Sequence, residues 1–175
     1  MYKPLNYFLD KLNEKKYSNY SLEERKIAAY KLYTFFNNLS NLQAYERMNN
    51  KQLSYLDMFL YAYVNVISKP KDKEDNQTSH DLIGTLLTDK SVRQGYTSLL
   101  EFICDELEIP FLYKTTEGPS GAHGNFQVIV TDEQGIKHCL HCDPYLDSKD
   151  DSEDIIALNA TLIPADNINY YNARH

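Results

Sequence analysis

The sequence predicts an α+β domain in which N-terminal helices pack on a small antiparallel sheet. Three observations lead to it. Apolar residues recur at helical intervals through residues 21–67 and again through 91–110. From Phe111 onward the period shortens to strand alternation, and a turn signal falls between two alternating runs. Helices come first and strands follow, which is the order of an α+β chain rather than of alternating βα units. At 175 residues the chain fits a single domain, with 1–68 as a helical lead-in and 80–163 as the remaining core.

Each element has its own warrant. Ser21 and Glu24 in "SLEE" have capping-box spacing, and Ala28, Leu32, Phe35 and Leu39 follow on one helical face. A further short helix carries Leu42, Tyr45 and Met48. Leu53, Leu56, Phe59, Leu60, Tyr63, Val64 and Ile67 form a broad apolar face, so the next helix is central. "KPKDKEDNQTS" is a polar loop with Pro70 as a breaker. Ser91 and Gln94 give S-x-x-Q, which places Ser91 as N-cap and Arg93 at the second helical position. Val92, Tyr96, Leu99, Ile103 and Leu107 make that helix's stripe, and Pro110 stops it. "FLYKTT" reads as a strand, "EGPSG" as a loop and "HGNFQVIVT" as a second strand. "DEQG" is a hairpin turn, "IKHCLHCD" the return strand, and "IIALNATLI" an edge strand.

Composition excludes several classes. Asp plus Glu outnumber Lys plus Arg by 25 to 18, for a net charge of −7, and the lysines form no stripe. No nucleic-acid partner is therefore expected. The N-terminus has no apolar signal region, and the apolar run "YLDMFLYAYVNVI" is short and carries Asp57 and Asn65. A cytoplasmic protein without a membrane span is expected. Three cysteines are an odd number without framework spacing, which fits a reducing compartment.

Chemistry gathers on three residues. Arg93 stands at a helix mouth, where a cation faces the positive end of the dipole at a cost of roughly 0.3–1 kcal/mol. His123 opens one strand and Asp143 closes the strand paired with it, so the two are expected as neighbours across the ladder. A histidine oriented by a carboxylate is the base half of a nucleophilic triad, and its natural partner is a thiol at a helix N-terminus.

"SVRQGY", "EIPF", "AHGNF" and "HCDPY" occur in that order across the central third of the chain. In order and spacing they resemble the transglutaminase-like superfamily of cysteine enzymes, a relative of papain-type proteases. The resemblance implies that 80–163 is a transglutaminase-like core, with one helix carrying the former nucleophile position. It implies that His123 and Asp143 are the triad histidine and aspartate. Gln94, Tyr96 and Asn125 then line the cleft. Arg93 stands at the nucleophile position, Ser91 replaces a family glycine, and the family tryptophan is absent from a chain without Trp.

Arginine stays protonated and has no accessible lone pair, so it is no nucleophile. Losing the nucleophile of a triad costs on the order of 10⁶-fold in kcat. The expectation is a pseudoenzyme that binds a peptide or protein segment, needs no cofactor, and places Arg93 beside Asp143. An alternative is an active amidase, peptidase or acyl-transfer enzyme with a non-standard nucleophile, His123 and Asp143. Cys104 lies eleven residues along the same helix, about 16 Å from the mouth. Ser91 is accounted for as the cap, and Ser120 is the remaining hydroxyl. A third alternative is a metal-stabilised interaction domain built on "HCLHCD". Alternation on a strand splits those ligand types between two faces.

Overall fold

The computed structural model describes residues 2–72, 80–118, 121–148 and 163–164, with side chains described for all of these except 114–118, 121–125, 146, 163 and 164. Its order is α1 (Leu5–Leu12), a 3-10 turn (Lys15–Tyr17), α2 (Leu22–Met48), α3 (Tyr55–Ile67), α4 (Leu82–Thr88) and α5 (Arg93–Glu106). There follow β1 (Phe111–Gly118), β2 (Gly121–Thr131), β3 (Lys137–Cys142), α6 (Pro144–Asp147) and β4 (Ile163–Pro164). The fold class is α+β, with helices on a small antiparallel sheet.

Local chemistry starts the long helices. The Ser21 hydroxyl accepts from the Glu24 N–H at 3.1 Å, and the Glu24 carboxylate accepts from the Ser21 N–H at 2.9 Å. Ser54 and Asp57 make the same reciprocal pair at the start of α3. Each box satisfies two amides that a helix start leaves without partners. The expected break before Leu42 does not occur. Residues 40–44 contain neither Gly nor Pro, and α2 runs through them to Met48. Its buried face is Ala28, Ala29, Leu32, Phe36 and Leu39, one position round from the expected Phe35. α1 and α4, both short, were not foreseen. Asp81 caps α4, accepting from the Gly84 N–H at 2.7 Å.

The start of α5 differs from expectation. Val92 is its N-cap, without a side-chain cap, and Arg93 is the first helical residue. Ser91 is held elsewhere. Its backbone bridges the 70–72 segment, donating to the Pro70 carbonyl and accepting from the Asp72 N–H. Its hydroxyl meets Thr85 Oγ1 at 2.9 Å. A longer-range backbone pairing thus overrides the local capping pattern.

The sheet order is β1-β2-β3-β4, every pair antiparallel. β1 and β2 reach into the expected 117–121 loop, to Gly118 and from Gly121. The β2–β3 turn is built as foreseen. Asp132 Oδ1 accepts from the Gln134 and Ile136 amides, both at 2.9 Å, and Gly135 adopts φ 80°, a conformation that favours glycine. Of the expected edge strand, residues 155–162 lie outside the described residues, while Ile163 pairs with His141. Phe126, Val128 and Val130 are buried on one face of β2, against which α3 and α5 lie. Buried side chains from α1 to α5, β2 and β3 form one continuous cluster.

Candidate functional site

The site is assembled where the first turn of α5 meets the end of β3. α5 projects Arg93 from its first position, and β3 delivers Asp143 one residue past its last paired residue. Arg93 Nη1 lies 3.5 Å from Asp143 Oδ2. Asp143 is 1% exposed and Arg93 28% exposed at the side chain. A carboxylate so buried needs a counter-charge, and Arg93 supplies one. The distance is long for a charge-assisted hydrogen bond, so the contact is an ion pair rather than a tight fork.

A second contact fixes the guanidinium. Its Cζ lies 4.4 Å from the ring centroid of Tyr145, in cation–π geometry. Lys71 Nζ approaches the same ring at 5.3 Å. Tyr145 follows Asp143 by two residues in the single turn of α6, whose first bond runs from the Asp147 N–H to the Asp143 carbonyl at 3.1 Å. Asp147 is itself buried and accepts from the Tyr63 hydroxyl of α3. Two buried carboxylates therefore stand at the two ends of one helical turn, one facing Arg93 and the other Tyr63.

Tyr96 backs this arrangement. It is fully buried, its hydroxyl donates to the Lys69 carbonyl at 2.7 Å, and its ring meets Tyr145 edge-on at 6.3 Å. It was expected to line a cleft and is instead a core residue behind the site. Gln94 is exposed and pairs with His80 Nδ1 at 3.1 Å.

The ladder corrects one expectation. Its last β2–β3 pair is Phe126↔Cys142, so the register carries Asp143 to the level of Asn125, two residues from His123. His123 itself pairs with Thr116 of β1. The side chains of His123 and Asn125, and all of Ser120, lie outside the described residues.

The thiols stand apart from this chemistry. Cys104 and Cys142 are buried, and Cys139 is half-buried. Burial, then the charges of Asp105 and Glu101, pushes the Cys104 thiol up to about 12. Burial likewise pushes the Cys142 thiol well up, which removes thiolate character from it. The "HCLHCD" residues also separate. His138 pairs with Asp132 at 2.7 Å, which holds that carboxyl below its usual range together with the Ile136 and Gln134 amides. Among the described residues no group of three His, Cys, Asp or Glu side chains could hold a metal ion. Nor, among them, is any helix long and apolar enough to cross a membrane.

Lys71, Tyr145, Tyr63 and Asp147 were not read as site residues from the sequence, where Tyr63 counted only towards the apolar face of the central helix. A signal existed for Tyr145 alone, in the "DPY" that follows the strand. No protein-family model, curated protein or solved structure matches this chain.

Proposed function

We propose that this chain is a non-catalytic transglutaminase-like domain that binds a peptide or protein segment, with Arg93 contacting a carboxylate on it. One observation carries the proposal. The first side chain of α5, where a thiol enzyme of that lineage would have its nucleophile, is a guanidinium paired with buried Asp143 and resting on Tyr145. That pairing takes up the position and charge a thiolate would need. It also leaves binding capacity. A guanidinium has five N–H donors. Among the described residues Arg93 uses one of them, on Asp143. Its partial exposure and the neighbouring Lys71 favour a second carboxylate from outside, which guanidinium suits by geometry.

Arg93→Cys tests this reading. In that variant iodoacetamide labelling is expected to be fast, and slower by about tenfold or more when His123→Ala is added, because an imidazole partner raises thiolate content. Amidase or peptidase turnover by the unmodified protein, abolished by His123→Ala, sinks the non-catalytic reading.

A further inference from the structure

The helical layer holds a cavity whose lining does not include Arg93. It has a volume of about 460 Å³, within the roughly 300–1,000 Å³ typical of small-molecule sites. α2, the C-terminal ends of α3 and α4, and the middle of α5 line it, and one side is open to solvent. Leu32, Phe35, Val66, Leu86, Leu99 and Ile103 supply its apolar, mostly aliphatic part, beside polar groups that include Asn38 and Asn65.

Its charged residues are Lys31, Lys69 and Asp89. Lys31 Nζ and Lys69 Nζ reach the two different oxygens of Asp89, each at 2.9 Å. Two ammoniums and one carboxylate leave one net positive charge. Both lysines are held in place. Lys31 also donates to the Leu86 carbonyl at 2.5 Å. The Lys69 backbone is pinned by the buried Tyr96 hydroxyl. An ammonium has three donors. Among the described residues Lys31 spends two and Lys69 one, so three donors remain.

Asp89 is an unfavourable place for an anion without those lysines. It follows the last residue of α4 at φ 54°, at the negative end of that helix. Burial pushes its carboxyl up, and the bonds and charges of Lys31 and Lys69 outweigh this and bring it below the usual range. The two lysines are thus arranged around one anion and can accept another.

We propose that this cavity binds a medium-length aliphatic monocarboxylate, with its chain among the leucines and its head group on Lys31 and Lys69. The remaining lysine donors take the carboxylate, and the net charge of the mouth matches it. Asp89 competes with the ligand for the same ammoniums.

Titration calorimetry with decanoate, decanol and decyltrimethylammonium tests it on the full chain. Decanoate is expected to bind more tightly than either chain-matched control, and to shift the methyl NMR signals of Leu86, Leu99 and Ile103. Lys31→Gln and Lys69→Gln are each expected to weaken decanoate by a factor of about ten, the worth of one charge-assisted bond. Asp89→Asn is expected to tighten it, since Asn also tolerates the left-handed backbone. The opposite signs separate a designed head-group site from a sticky apolar groove, and far-UV circular dichroism verifies that each variant is folded. No decanoate binding, equal binding of the cationic control, or weaker binding in folded Asp89→Asn overturns the proposal.

Discussion

At Arg93 a local cost is offset by a distant partner. The helix dipole opposes a cation at the first position of α5. Asp143, brought in by β3 and nearly inaccessible to water, supplies the opposite charge. Removing one partner of a buried pair leaves the other uncompensated, at about 3–5 kcal/mol when both are fully buried. Arg93 retains 28% side-chain exposure, so water screens part of that loss, and Arg93→Met is expected to cost about 1–3 kcal/mol in urea unfolding. Adding Asp143→Asn removes the charge that Arg93 faced. The double variant is therefore expected to be more stable than the sum of the two single losses, by roughly 0.5–3 kcal/mol. Strict additivity would mean that the 3.5 Å contact carries no coupling. This pairing was expected because the family resemblance put Arg93 and Asp143 in one cleft, where a buried arginine needs an acid directly or through His123. The His123 register was less legible. A ladder offset of two residues preserves the strand face and leaves the alternation pattern unchanged, so the pattern could not reveal it.

Element starts divide into those set locally and those set from afar. Ser21 and Ser54 form complete capping boxes within four residues, whereas the equally suggestive Ser91 caps nothing and turns to Thr85. The difference is the backbone bridge that ties Ser91 to the 70–72 segment, which depends on tertiary structure and leaves no local mark. Substitution distinguishes the two roles. Ser54→Ala is expected to cost about 1 kcal/mol, the usual worth of an N-cap. Ser91→Ala is expected to cost about 1 kcal/mol by removing the buried hydrogen bond to Thr85, and much less in a Thr85→Val background. An Ser91→Ala cost independent of Thr85, measured by denaturant titration, would restore the capping role. The short helices were illegible for a related reason. α1 and α4 have eight and seven residues, about two turns each, too few for a periodicity to stand out. α2 misled differently. It buries no residue after Leu39 and exposes Tyr45 and Met48 to solvent, so its apolar pattern blurs towards the C-terminal end and imitates a break.

Across the whole molecule, helices and sheet share one interior. Phe126, Val128 and Val130 on β2 join the same buried cluster as Phe59 and Tyr63 of α3 and Leu100 and Ile103 of α5. Neither layer can lose its partner without exposing that surface, so the two are expected to unfold together. The cysteines report on this directly. Cys104 lies in α5 and Cys142 in β3, both fully buried, while half-buried Cys139 lies in β3 nearer the hairpin turn. Their burial and raised thiol pKa make Cys104 and Cys142 unreactive in the folded state. With a disulfide reagent at neutral pH, Cys139 is expected to react first. Cys104 and Cys142 should then react together, at a rate that rises with urea in step with loss of helical circular dichroism, as a two-state transition requires. Protection of Cys104 persisting after Cys142 has reacted would show the helical layer holding without the sheet. Phe126→Ala sharpens the comparison. It removes a fully buried ring from the sheet face, at about 3–5 kcal/mol. If the interior is shared, that single change on β2 accelerates labelling of Cys104 on α5 as much as labelling of Cys142 beside it.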